Sequence, residues 1–377
     1  MMRNLSYFCS VLVLACVPAG SAAQQAGGEA PAATLHVQAR EVLLPVTVRD
    51  KHGALVTNLT KDDFTLSEDG RPQTIKSFAV ESNLPFQIGL LVDTSRSLSG
   101  GLDAERKAAN KFVDQMLPNN TKNQAFLIHF DREVELLRDF TSDAQKLHTE
   151  IDEMGPTSRS RDDRNGPETT GDDRDWSGGR RGGTQLYDAI YLAADDLMKP
   201  KDGRKALVVF SDGVDRGSKE SMSEALDAAD HANLSIYTIY FKGEQERGSG
   251  GGFPGGGHHG GMGGGWPGGG GGYPGGGYPG GGHHGGRSDE PSVDGKKIMQ
   301  QIAERTGGRF FEAKKRENLD EIYAQIAEEL HRQYLLTYTP DMVDNEGNYH
   351  KIALKAKKDD YTVLTRAGYY APGGDEK

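Results

Sequence analysis

Residues 88–100 read IGLLVDTSRSLSG, and with the two residues before them they form FQIGLLVD followed at once by TSRS. A near-continuous apolar run of this length has no polar face. It predicts a strand covered on both sides, as strands of parallel sheets are. The run ends on Asp93, and hydroxyls follow two and four positions later at Ser95 and Ser97. Two readings of that polar end stand side by side: a cap for the next helix, or oxygens spaced to converge on one centre.

Reading onward, strands and amphipathic helices alternate. LDAERKAANKFVDQML places Ala109, Phe112, Val113 and Met116 on one helical face. NQAFLIHFD (123–131) and EVELLRDF (133–140) predict a hairpin, and TQLYDAIYLAADDLM (184–198) a helix. KALVVFSD (205–212) is again apolar throughout. A helix with a Ser221/Glu224 capping box follows, then the strand LSIYTIYF (234–241), a helix stopped by Gly-Gly, the strand RFFEA and a last helix, ENLDEIYAQIAEELHRQ. This alternation predicts an α/β fold, a doubly wound and mainly parallel sheet of Rossmann-like type over 83–333.

Both flanks revert to strand patterns. Val42, Leu44, Val46 and Val48 alternate on one face, Thr60 and Asp63 bracket a short helix, and FTLSEDGRPQTIKSFAV predicts two strands around the Asp69-Gly70 turn. After the core come YLLTYTP, YHKIALKA and YTVLTRAGYY. Three strands alone are marginal, and the ends of an inserted domain lie close together. Residues 35–82 and 334–372 are therefore expected to build one small β-sandwich-like domain into which the α/β domain is inserted, with 373–377 as a tail. Two stretches, 156–183 (charges of both signs with Gly) and 243–287 (Gly, Pro, His and aromatics), bury too little apolar area to fold and are expected as mobile inserts. Each adjoins the carboxyl-end rim of the sheet, where it would gate or extend a binding face.

The 377 residues carry a formal charge of −11 and a pI near 5.5, which argues against a nucleic-acid surface. Residues 1–23 combine Arg3, an apolar run from Leu5 to Val17, and Ser21 and Ala23 at signal-peptidase spacing. Cleavage is expected after Ala23, followed by a lead-in over 24–34 and export to the periplasm or beyond, with no membrane span left. Removal of Arg3, the only charge in that segment, takes the formal charge from −11 to −12. Both cysteines, Cys9 and Cys16, fall inside the signal, so the exported chain would hold no disulfide. VLAC (13–16) also resembles a lipoprotein cleavage box, into which Leu14 fits poorly; that second reading would lipidate Cys16.

DTSRS gains weight from two distant neighbours. Thr184 opens a helix after Gly182 and Gly183, and Asp212 ends the strand in VVFSDG, so both belong on the rim where Asp93 sits. D-x-S-x-S, a Thr after Gly-Gly and an Asp-Gly after a later strand together resemble the von Willebrand factor type A (VWA) domain and its metal-ion-dependent adhesion site. The flanks PVTVRDKHGALVTNLTKDDFTLSEDG, QYLLTYTP and RAGYYAP resemble exported bacterial proteins of this group. The resemblance implies that Asp93, Ser95, Ser97, Thr184 and Asp212 hold Mg²⁺, or Mn²⁺ or Ca²⁺. The ion's open position would accept an acidic side chain of a protein partner. Arg96, where many members carry Gly, would repel the ion, help it hold that carboxylate, or point away into solvent.

Other features read plainly. His258/His259 and His283/His284 are either a weak metal tract or compositional drift, and Phe253, Trp266, Tyr273 and Tyr278 are either adhesive or inert. Asp131 and Asp215 read as caps or solvated loop residues. G-x-S-x-G, H-E-x-x-H and phosphate-loop motifs are lacking, so an enzyme is not expected. A metal-dependent hydrolase would need a base, for which His129 is the one histidine near the rim. An envelope scaffold with a degenerate domain is the main rival to the adhesion reading. The partner and the oligomeric state are not encoded in any motif.

Overall fold

The computed structural model describes residues 41–80, 84–118, 122–155, 183–242, 294–314, 318–342 and 347–371, which belong to one compact unit, Ala39–Lys377. The signal, the lead-in, the four Gly-rich-segment histidines and both inserts except Gly183 lie outside the described residues.

The central sheet has six strands. β5 (Phe86–Asp93) is buried along its whole length, as its apolar run requires. It pairs in parallel with β6 (Gln124–Phe130) on one side and β8 (Arg204–Ser211) on the other. β9 (Ser235–Phe241) and β10 (Phe310–Ala313) continue the parallel set beyond β8, and β7 (Val134–Thr141) closes the far edge antiparallel to β6. The order is β10-β9-β8-β5-β6-β7, so the winding reverses between β5 and β8. Such a reversal opens a crevice at the strands' carboxyl ends.

Side chains of β5 alternate between two cores. Ile88, Leu90 and Val92 pack with α1 (Leu102–Met116), α2 (Ala144–Glu153) and α6 (Leu319–Arg332). Leu91 packs with α3 (Leu186–Tyr191), α4 (Met222–His231) and α5 (Gly295–Thr306) on the other face. On that second face the lack of a side chain at Gly89 lets Leu207 and Phe126 close over the strand: an added Cβ would lie 2.3 Å from Leu207 and 2.4 Å from Phe126. The stretch expected as one helix over 184–198 changes pitch after Tyr191 and runs on as a π-helical segment, Leu192–Met198. α2 escaped the sequence reading, although its signals are present. Asp143 caps it by accepting from the Gln145 N–H at 3.1 Å, and Leu147 and Ile151 form a four-residue apolar spacing that is fully buried.

The terminal strands form two antiparallel four-stranded sheets, each drawing on both ends of the chain. One is ordered β13-β1-β11-β4 and the other β14-β12-β2-β3. β1 is Val42–Arg49, β2 Phe64–Glu68, β3 Arg71–Gln73, β4 Ile75–Val80, β11 Tyr334–Tyr338, β12 Tyr349–Ala356, β13 Thr362–Leu364 and β14 Gly368–Tyr370. Two expected strands are each divided. After the Asp69-Gly70 turn, β3 pairs with β2, while β4 crosses to β11 in the other sheet; β13 pairs with β1, while β14 crosses to β12. Each crossing closes a corner of the sandwich over a shared core of Val42, Leu44, Val46, Phe64, Leu66, Leu336 and Tyr338. No helix among the described residues is long and apolar enough to cross a membrane.

Glu105 lies on the inward face of α1, fully buried, and accepts from the Tyr323 hydroxyl of α6. Burial pushes its carboxyl up to about 8, against the Tyr323 hydrogen bond that lowers it. The folded state thus keeps this proton to a higher pH than the unfolded chain does. The stability it confers is full below the unfolded value of 4.5 and is lost as pH rises towards 8. At pH 7 the ionised unfolded state is favoured by on the order of 3 kcal/mol. Glu105→Gln is expected to recover most of that at pH 7 and almost none at pH 4.5, read from urea midpoints at the two pH values.

Candidate functional site

The crevice at the winding reversal is lined by the residues that follow β5 and β8. Asp93 is the last residue of β5 and has no solvent exposure. The chain then turns: the Thr94 N–H donates to the Phe130 carbonyl at 3.0 Å and the Ser95 N–H to Asp93 Oδ1 at 2.9 Å. A 3₁₀ turn over Arg96–Gly101 leads into α1 and is pinned by buried Leu98. This extended-to-helical turn brings Ser95 and Ser97 to one side, with their Oγ atoms 3.0 Å apart. Arg96, between them, is exposed.

Across the crevice, the Ser97 hydroxyl donates to Asp212 Oδ2 at 2.8 Å. Asp212 Oδ1 accepts from the Val214 N–H at 3.1 Å, which holds the carboxylate over its own turn. That turn needs Gly213, whose φ is +72° and whose Cβ would lie 2.2 Å from the Gly295 carbonyl oxygen at the start of α5. A hydrogen-bonded chain therefore runs from Asp93 through Ser95 and Ser97 to Asp212, across 119 positions of sequence.

Thr184 is buried on the same rim. The Arg216 N–H donates to its carbonyl at 3.0 Å, and the neighbouring Gln185 N–H donates to the Asp131 carbonyl at 2.9 Å. These two bonds fasten the residues before α3 between the loops after β8 and β6. Asp215 caps α3, accepting from the Tyr187 N–H at 3.3 Å and the Ser218 hydroxyl at 2.5 Å. His129 is directed to Glu135 on β7, with Nε2 and Oε2 3.0 Å apart.

Sequence reading missed Ser211. It is fully buried, donates to Asp93 Oδ2 at 2.7 Å and accepts from the Gly213 N–H at 3.0 Å, so it joins the β5 carboxylate to the β8 turn. Its only signal was a hydroxyl at the end of an otherwise apolar run.

Burial pushes the Asp93 carboxyl up to about 7, and the nearby Asp212 charge pushes it further the same way. Ser95 and Ser211 oppose the shift by hydrogen bonding. Among the described residues, the hydrogen-bond partners of Asp93 are amides and hydroxyls, not a basic side chain. Two facing carboxylates with hydroxyls around them are an all-oxygen donor set that suits a hard divalent cation, and its charge would offset the carboxylates' repulsion.

Residues 88–214 match the family model of the von Willebrand factor type A domain. The chain carries a VWA domain. Solved structures similar to the chain include an aerotolerance-related membrane protein from Bacteroides fragilis (14% identity over 66% of this chain and 99% of that one, TM-score 0.40). The vWF domain of the type V pili tip protein Mfa5 from Porphyromonas gingivalis is similar at 13% identity, over 66% of this chain and 95% of that one, with a TM-score of 0.40. Proximal thread matrix protein 1 from the mussel byssus, solved with a zinc-occupied MIDAS motif, is similar at 12% identity, over 70% of this chain and 49% of that one, with a TM-score of 0.42. No curated protein matched the chain. In this VWA domain the matched stretch begins inside β5 and ends just past Asp212, so it spans all five residues proposed as ligands.

Proposed function

We propose that the chain is an exported protein-binding module whose VWA domain holds a divalent cation with Asp93, Ser95, Ser97, Thr184 and Asp212. Through it the domain would bind an acidic side chain of a protein partner. The observation that supports this most is the hydrogen-bonded chain from Asp93 to Asp212 at the point where the sheet reverses its winding. When bound, a divalent cation such as Mg²⁺ supplies positive charge and a position left open for a carboxylate.

The protein's own groups divide the remaining work. Asp93 and Asp212 provide negative charge from two strands, while Ser95, Ser97 and Thr184 offer neutral oxygens. Two carboxylates neutralise a divalent ion only in part once hydrogen bonds share their charge, which favours an anionic partner. Exposed Arg96 stands between Ser95 and Ser97, where it can pair with the same partner carboxylate.

Calorimetric titration with Mg²⁺ and Mn²⁺ tests the reading. One equivalent is expected, bound about tenfold more weakly by Ser97→Ala, which removes both a donor and the contact to Asp212. A partner retained in Mg²⁺ is expected to elute with EDTA. Absence of Mg²⁺ and Mn²⁺ binding together with EDTA-insensitive stability would leave the scaffold reading in its place. Phosphoester or peptide turnover that vanished with Asp93 would instead favour a hydrolase.

A further inference from the structure

The β-sandwich carries a second set of ligand-type atoms, on strands other than those that end at the VWA crevice. Glu68 ends β2, Asp69 opens the following turn, and His350 lies on β12, 281 residues beyond Asp69. Their ligand atoms all lie within 4.8 Å of one another. His350 Nδ1 is 2.8 Å from Asp69 Oδ2 and 3.6 Å from Glu68 Oε1.

What distinguishes this group from a surface ion pair is how each carboxylate is held. Glu68 is 5% exposed, and its Oε2 accepts from the Tyr338 hydroxyl at 2.6 Å and the Tyr369 hydroxyl at 3.4 Å. Asp69 Oδ1 accepts from the Lys351 N–H at 2.8 Å. In both acids a protein donor fixes one oxygen and leaves the other aimed at the same imidazole nitrogen. Outer hydrogen bonds that orient the ligands in this way are the usual support of a metal centre. His350 is itself stacked on the Tyr369 ring, with centroids 5.4 Å apart.

From this geometry we propose that Glu68, Asp69 and His350 form a binding site for a borderline divalent transition cation of the zinc class. One imidazole nitrogen with two carboxylate oxygens matches that class, whereas the all-oxygen set of the VWA crevice matches Mg²⁺. Ligands about 2.1 Å from a tetrahedral ion stand about 3.4 Å apart. The observed 2.8 and 3.6 Å bracket that separation. Binding displaces the proton from His350 Nδ1 to solvent, and the ion takes the nitrogen lone pair in its place. The consequence is structural: the ion clips the N-terminal hairpin to a C-terminal strand, across the inserted VWA domain.

The test is zinc stoichiometry of the full chain, titrated calorimetrically in an Asp93→Ala background so that the VWA crevice does not contribute. His350→Ala and Asp69→Asn are each expected to bind one equivalent less than their parent. Asp69→Asn is the safer variant for folding, because φ at this position is +48° and Asn tolerates that region and retains an oxygen for the Lys351 N–H. Crystals soaked in zinc are expected to show an anomalous peak between His350 Nδ1 and the two carboxylates. Unchanged stoichiometry in both variants, or no peak there, would overturn the site and leave a plain ion pair. Because no residue is shared with the crevice, either site can fail without the other.

Discussion

Asp93→Ala is expected to weaken Mg²⁺ binding by at least about 100-fold while leaving the fold intact. The native protein should gain thermal stability with Mg²⁺, by about 2.7 kcal/mol when the ion is at 100 times its Kd, and the variant should gain nothing. In EDTA the two should differ by only about 1 kcal/mol. Two effects oppose each other there: alanine orphans the Ser95 N–H and the Ser211 hydroxyl, which costs about 1 kcal/mol each. It also removes a fully buried carboxylate, whose burial is itself costly. A strong loss of stability in EDTA would mark Asp93 as a structural acid; a loss confined to Mg²⁺ marks it as a ligand. Differential scanning fluorimetry with and without EDTA, beside calorimetry, separates the two outcomes.

The second large effect concerns how the β-sandwich is fastened to the VWA domain. Glu329 of α6 is 1% exposed and pairs with Arg49 of β1 at 2.5 Å and with Arg309, just before β10, at 3.5 Å. Arg49→Met leaves that buried carboxylate with its longer partner alone. Removing one member of a buried pair costs about 3–5 kcal/mol, and the remaining Arg309 places this variant at the lower end. Arg49→Met with Glu329→Leu removes both charges and is expected to recover most of the loss, since apolar replacements of a buried pair are often neutral or better. Arg309 tolerates this change because it stacks on Phe311 at 4.4 Å and is part exposed. Urea denaturation of the two variants and the native protein gives the comparison. Equal loss in the single and double variants would show that packing, not the buried charge, carries the effect.

Much of the α/β domain was legible because its signals are local. FQIGLLVD and KALVVFSD are apolar on every face, and only a central parallel strand can bury such a run. Ser221/Glu224 and the Gly after Arg305-Thr306 mark helix ends through bonds made within a few residues, and both were observed: the Ser221 N–H donates to Glu224 at 2.8 Å and Gly307 has φ +73°. The rim positions of the residues proposed as ligands were legible for a different reason. Each ends a recognisable strand or opens a helix, and the alternation of elements alone places such positions on one rim.

What stayed hidden depends on partners far away in sequence. Thr74 and the residues between β13 and β14 carry no signal that a strand changes sheets there; the choice is made by β11 and β12, which receive the two halves. Glu105 and Ser211 sit in patterns that predict only a helix face and a strand end, and their burial follows from what packs over them. The same holds for Glu68, a polar residue in an alternating strand until Tyr338, Tyr369 and His350 close around it. By itself the sequence determined most of the order of elements, the buried central strands and which positions fall on the rim of the sheet, because periodicity and chain direction are local properties. The tertiary structure alone decided which strands exchange sheets, which acids are desolvated and which distant oxygens and nitrogen meet, because those depend on contacts between segments that the chain holds hundreds of residues apart.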